Sequence, residues 1–321
     1  MIEVIGAPFD LCGGIPGSRL GPIAMRLEGL VPGLKRIGQE VIDTGAVTNV
    51  DGLEPESLAD RYSLANEVFT EVQERVERAV SRSHTPIVVG GDHSISIGSI
   101  SGALRHFGDG LAVLWIDAHM DLNTPDSSPS GNIHGMSLAA LTGLESELGG
   151  ELGEEWRVLL EDIVGEQKLK SDRIAWLGLR DVDRGEVANS RKLGGSLTMT
   201  MQEVDELGVT GAMSEIDSYL RKNDIKALWV SFDADSLDPI FAPGTGTAVR
   251  GGFTYREGHL IAETLHLWSK EAPYRIAGLD VVEVNPLIDR NNETANVAME
   301  WTLSFFGKSI LNPLDPGRTE R

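Results

Sequence analysis

Trp115-Ile116-Asp117-Ala118-His119-Met120-Asp121-Leu122-Asn123 continues an apolar run, Leu111-Ala112-Val113-Leu114-Trp115-Ile116. Six apolar residues in succession read as a strand buried on both faces, the kind that fills a parallel sheet. Three potential metal ligands follow at alternate positions. Side chains of an extended chain alternate faces with a period of two. Asp117, His119 and Asp121 therefore project to one side if the backbone stays extended.

The same pattern recurs twice. Ala227-Leu228-Trp229-Val230-Ser231-Phe232 leads into Asp233-Ala234-Asp235, and Thr85-Pro86-Ile87-Val88-Val89 leads into Gly90-Gly91-Asp92-His93-Ser94. Together these strand ends offer His93, Asp117, His119, Asp121, Asp233 and Asp235. Four carboxylates and two imidazoles gathered in one place repel strongly unless cations are bound. Oxygen-rich ligation with some imidazole and no thiolate suits Mn²⁺ better than structural Zn²⁺. Six ligands exceed what one ion needs and fit two Mn²⁺ per subunit that share bridging carboxylates. Such a pair lowers the pKa of a bridging water and yields hydroxide near neutral pH.

Outward from these stretches, apolar runs alternate with helical periodicity, the signature of βα units and a mainly parallel sheet. Strands are expected at Ile2–Gly6, 85–89, 111–116, 173–179, 227–232 and 276–284. Helices are expected at about 55–83, 94–107, 210–222, 254–269 and 293–307. The Gly- and Pro-rich segment 7–22 reads as an irregular loop. Residues 143–170 carry eight acidic side chains against three basic ones and read as a mobile surface excursion. No repeat, low-complexity tract or long linker divides the chain, so residues 1–321 are expected to form a single catalytic domain.

The 321 residues are 41% hydrophobic and 24% charged, ordinary for a globular protein. The formal net charge of −21 argues against nucleic acid or an anionic membrane as partner, since phosphate binding needs clustered Lys and Arg. It suits cations through long-range attraction, and a dispersed acidic surface also serves solubility. No apolar run approaches the roughly 20 residues of a membrane helix. One cysteine, Cys12, excludes an intramolecular disulfide and fits a reducing cytosol. Met1-Ile2-Glu3-Val4-Ile5-Gly6 reads as a strand rather than a signal segment, so the expected location is cytoplasmic.

Gly90-Gly91-Asp92-His93-Ser94, Asp117-Ala118-His119-Met120-Asp121 and Ser231-Phe232-Asp233-Ala234-Asp235 resemble the signature motifs of the ureohydrolases, the family of arginases, agmatinases and related hydrolases. The resemblance runs from Gly6 to about Gly307, with the motifs in matching order and spacing. It implies a three-layer α/β/α fold and a dinuclear manganese centre. His93, Asp117, Asp121 and Asp233 would hold one ion. His119, Asp117, Asp233 and Asp235 would hold the other. Metal-bridging hydroxide would attack a guanidinium carbon, with Asp121 orienting it.

The same resemblance assigns Glu283 to the guanidinium and His134 to proton transfer, a task suited to an imidazole titrating near neutrality. Asn123, Ser128 and Ser130 resemble arginase residues that bind the substrate α-carboxylate, Asp183 and Glu186 those that receive the α-ammonium group, and Thr247 a further substrate contact. Agmatine lacks the carboxylate, so this set favours L-arginine, with L-ornithine and urea as products. An agmatinase or another guanidino amidinohydrolase is the nearest alternative, and a non-catalytic metal-binding paralogue a further one. Homotrimers or homohexamers are implied, with Tyr255-Arg256-Glu257 similar to a segment that forms intersubunit salt bridges. Four features depart from the arginase pattern: the Pro16–Pro22 loop and Ser236, which are closer to agmatinases, and Met120 and Ala248. None removes a ligand.

Overall fold

In a computed structural model describing residues 1–48, 53 and 55–310, the βα alternation closes into one eight-stranded sheet. Its strands are β1 (Ile2–Ala7), β2 (Val41–Ala46), β3 (Thr85–Gly90), β4 (Leu111–Ile116), β5 (Ile174–Leu179), β6 (Leu197–Thr200), β7 (Ala227–Asp233) and β8 (Arg275–Val282). They lie in the order β2-β1-β3-β8-β7-β4-β5-β6, and every pairing is parallel.

The helices are α1 (Gly21–Leu27), α2 (Leu30–Arg36), α3 (Leu58–Ser81), α4 (Ser96–Phe107), α5 (Ser137–Thr142), α6 (Gly150–Val158), α7 (Arg184–Leu193), α8 (Met201–Lys222), α9 (Tyr255–Glu271) and α10 (Glu293–Phe305). They cover both faces, giving the expected three layers. Strand alternation divides the apolar core accordingly. Ala112, Leu114 and Ile116 of β4 pack with α8, α9 and α10, whereas Leu111, Val113 and Trp115 pack with α3 and α4.

Several elements carry no strong apolar periodicity. β2 and β6 are sheet edges, and β2 is largely exposed, so neither needs a continuous apolar run. α8 begins nine residues earlier than its periodicity suggests, with a Thr200–Glu203 capping box at its start. Gly208, at φ 67°, interrupts it and hides the first turns. The expectation for residues 143–170 is corrected. Trp156, Leu159, Leu160, Ile163, Val164 and Leu169 are buried there, and α6 runs into a π-helical turn at Leu159–Val164. Its acidic residues form the outer face of a packed element, because an amphipathic segment can be acidic overall and still bury one stripe.

The sheet order sets the site. β3, β8, β7 and β4 are consecutive, so their C-terminal ends form one row at the middle of the sheet. The order of strand addition reverses here, since β4, β5 and β6 step outward before β7 and β8 return between β4 and β3. Open α/β sheets bind ligands at such a switch. Close packing beneath the row depends on Gly278 of β8, which pairs with Trp229 of β7. A Cβ at Gly278 would stand 2.2 Å from Trp229 Cζ3. Gly278→Ala therefore displaces the indole and costs about 1–3 kcal/mol of overpacking. Urea denaturation should show that loss, and unchanged stability would contradict this packing.

Candidate metal centre and substrate cleft

β4 ends at Ile116, so strand alternation does not gather the candidate ligands as expected. Tight turns do. Asp117 Oδ1 accepts the His119 N–H at 2.7 Å, and Asp233 Oδ1 accepts the Asp235 N–H at 2.6 Å. Asp92 Oδ1 accepts the Ser94 N–H in the same way at 3.1 Å. In each case an aspartate bonds the backbone two residues on and turns the chain back over the strand end. Asp121 and Glu283 stand at φ 51° and 61°, left-handed conformations that cost non-glycine residues about 1–2 kcal/mol.

The six residues meet in one place. His93 Nδ1 lies 3.0 Å from Asp117 Oδ2, 3.2 Å from Asp121 Oδ2 and 3.0 Å from Asp233 Oδ2. His119 Nδ1 lies 3.3 Å from Asp117 Oδ1 and 3.1 Å from Asp235 Oδ2. Ligand atoms of His93, Asp117 and Asp233 all fall within 4.8 Å of one another, and so do those of Asp117, His119 and Asp235. Asp117 belongs to both groups. His93 Nδ1 is buried, yet none of its three carboxylate contacts is aligned as a hydrogen bond. A buried ring nitrogen and carboxylate oxygens that crowd together without aligned hydrogen bonds make a set of atoms fit to surround cations.

Electrostatics point the same way. Burial pushes the Asp121 and Asp233 carboxyls up, and the neighbouring carboxylates push them further. Burial opposes protonation of His93, but Asp117, Asp233 and Asp121 outweigh it and raise its pKa. His119 is raised against burial by Asp235 and Asp117. Asp117 is depressed despite burial by the two imidazoles. The cluster attracts positive charge, as protons or as metal.

Beside it opens a cleft of about 210 Å³, lined by His93, His119, Asp121, Asp233, His134 and Thr247, together with Asn123, Ser128, Ser130, Asp181, Asp183 and Glu186. Thr247 Oγ1 donates to Asp235 Oδ2 at 2.7 Å. Asn123 Nδ2 donates to Asp183 Oδ2 at 2.8 Å. Asp183 and Glu186 form the capping box of α7, and Glu186 Oε1 also accepts the Leu122 N–H. Their carboxylates therefore hold the cleft wall together as well as facing it. Burial raises Glu186 to about 7. Ser128 and Ser130 hydroxyls accept the Gly131 and Asn132 N–H groups.

Glu283 is buried and does not line the cleft. Its Oε1 accepts from the His93 N–H at 2.9 Å and meets His134 Nδ1 at 2.8 Å. Burial opposes charge on His134, but the Glu283 hydrogen bond and charge raise it to about 9. Burial also opposes ionisation of Glu283, and His134 nevertheless holds it below its usual range.

Sequence reasoning overlooked several supporting residues. Trp115 stacks on His93, with centroids 3.9 Å apart and planes at 3°, and its Nε1 donates to Asp117 Oδ2 at 3.0 Å. Ser231 Oγ lies 2.8 Å from His93 Nε2. Trp115 and Ser231 stand two residues before Asp117 and Asp233, so the period of two marks them. Asp92 Oδ2 takes the Cys12 N–H at 2.9 Å, tying the N-terminal loop to the site. The departures from pattern also find places. Met120 is buried, and its carbonyl accepts from Trp176 Nε1. Ser236 Oγ donates to Asp233 O, Ala248 is exposed, and Pro16 O accepts from Asn285 Nδ2 outside the cleft.

Residues 1–307 match the model of the arginase family. An arginase of Staphylococcus aureus is 38% identical over 315 residues, covering 97% of this chain and 98% of that protein. An arginase of Bacillus caldovelox is 38% identical over 314 residues, covering 97% and 99%. The crystal structure of arginase from Bacillus cereus superposes with a TM-score of 0.84 at 37% identity, covering 96% of this chain and 99% of that one.

The His134–Glu283 pair has a defined pH signature. A pKa raised from 6.5 to about 9 contributes stability that is fully present below 6.5 and is lost as pH rises through 9. Imidazole NMR of the metal-free protein should place His134 near 9, and Glu283→Gln should move it down. Titration of His134 at or below 6.5 in the unaltered protein would contradict the pairing.

Proposed function

The chain belongs to the arginase family, and from that premise we propose that it hydrolyses L-arginine to L-ornithine and urea in a single catalytic domain. The observation that carries this reading is the adjoining of two features: six clustered metal-type donors and a cleft walled by Asn123, Ser128, Ser130, Asp183 and Glu186. His93, Asp117, His119, Asp121, Asp233 and Asp235 would hold two Mn²⁺ per subunit, because the donors are carboxylates and imidazoles without thiolate. When bound, such an ion pair supplies a water acidified enough to react at neutral pH.

The chain's own residues do the rest. Neutral donors at Asn123, Ser128 and Ser130 suit the α-carboxylate without adding charge beside the centre. Asp183 and Glu186 suit the α-ammonium group, and Thr247 bounds the cleft beside Asp235. Substrate held by its head group presents the guanidinium to the metal end, where Asp121 orients the attacking water by accepting its hydrogen bond. Water adds to Cζ and sheds its two protons in becoming the urea oxygen; the Cζ–Nε bond breaks, Nε gains two protons to become the ornithine ammonium, and one of them reaches it as it leaves. His134 faces the cleft and is kept protonated by Glu283, so it is the donor of that proton. Glu283 lies behind His134 rather than on the cleft wall, and its negative charge favours a guanidinium cation at that end.

Other features accord with a cytoplasmic enzyme. Among the described residues no helix is long and apolar enough to cross a membrane, and the lone cysteine is buried. A homotrimer or homohexamer is the assembly proposed. Arg256, in the segment similar to an intersubunit one, pairs with Glu263 of its own chain at 2.6 Å and keeps a largely exposed side chain that can reach another copy.

Urea release from L-arginine and from agmatine, measured side by side with Mn²⁺ and with chelator, tests the reading. Arginine should be strongly preferred, and chelation should abolish turnover. His134→Ala should lower kcat by about 10²–10⁴, the usual contribution of a positioned acid. Preference for agmatine would overturn the substrate, and metal binding without urea release from either compound would overturn the activity.

A further inference from the structure

His93 is held from behind as well as in front. Its ring lies flat against Trp115, and Nε2 meets Ser231 Oγ at 2.8 Å. Ser231 Oγ is 3.4 Å from Ser96 Oγ, on the first turn of α4. Beyond them lies Asp280, wholly buried in β8. Ser99 Oγ and Trp229 Nε1 each donate to Asp280 Oδ2 at 2.9 Å, while Asp280 Oδ1 is buried without a hydrogen-bond partner and is the acceptor left open to the neighbouring Ser96 hydroxyl.

A buried carboxylate without a Lys or Arg partner is expensive. A neutral Asn would satisfy Trp229 and Ser99 at lower cost. What a carboxylate adds is direction, because it accepts hydrogen bonds and donates none. With Asp280 as terminal acceptor, the Ser96 hydroxyl turns toward it and the Ser231 hydroxyl turns toward Ser96. A Ser231 lone pair then remains for His93 Nε2–H. That leaves the Nδ1 lone pair facing Asp117, Asp121 and Asp233.

We propose that Asp280, acting through Ser96 and Ser231, is a positioning residue that fixes His93 in the Nε2–H tautomer and in the orientation a divalent ion requires. This inference rests on reading His93 as a ligand of one ion of a pair. Carboxylates placed behind a ligating imidazole orient the ring and raise its basicity, and their loss commonly weakens metal binding by about 10–100-fold.

The test titrates metal-free protein with Mn²⁺ and follows the EPR signal of the free ion. The unaltered chain should bind two ions. Asp280→Asn keeps acceptors for Trp229 and Ser99, so the metal-free protein should melt as before while one of the two ions binds about 10–100-fold more weakly. Ser231→Ala should weaken the same ion, and the double variant should be no weaker than the worse single one, since both break one chain. Should Asp280→Asn not fold, Ser96→Ala interrupts the same chain and should weaken that same ion alone. Wild-type affinity for both ions in these variants, or equal weakening of both ions with a lowered melting temperature, would overturn the inference. Failure of the unaltered chain to bind Mn²⁺ would instead overturn the ligand reading beneath it.

Discussion

Four carboxylates share one buried pocket, with two imidazoles as their nearest ion-pair partners, and the rest of the molecule answers to that repulsion. Two like charges 4 Å apart cost about 4 kcal/mol at the effective dielectric of a protein surface. The chain meets the cost with protons, holding Asp121 and Asp233 up and both imidazoles charged. Divalent cations would meet it better, and their binding would release those protons. A site that is unfavourable when empty of positive charge is selective for it.

The sheet makes the crowding possible. Four central strands end side by side, and each delivers its ligand or acid through the turn that follows it: His93 after β3, Asp117 to Asp121 after β4, Asp233 and Asp235 at β7, Glu283 after β8. Aspartate-capped turns then set the spacing, and the left-handed backbone at Asp121 and Glu283 gives the final aim. Beyond the metal end, the loop 123–134 and the start of α7 wall the cleft with hydroxyls, amides and two carboxylates. Attraction for cations at one end and neutral donors at the other match a zwitterionic head group joined to a guanidinium.

Much of this was legible along the chain, though partly for the wrong reason. Polar triplets at the ends of β4 and β7 were conspicuous because they follow long apolar runs. Their convergence was credited to strand alternation, whereas turns accepting the N–H two residues on produce it. Asp280 was not legible as a supporting group. It sits among Leu279, Val281 and Val282, and its partners come from α4 and β7, distant in sequence. The edge strands β2 and β6 escaped notice because exposure relieves them of apolar patterning. Residues 143–170 misled because acidic composition masked the buried stripe around Trp156 and Ile163.

The central claim is that six side chains at three strand ends hold a pair of divalent ions. Anomalous diffraction from crystals grown with Mn²⁺ tests it most directly. The account predicts two peaks, one beside His93 Nδ1 and one beside His119 Nδ1, with Asp117 between them. A single peak, or peaks away from these six residues, would contradict it.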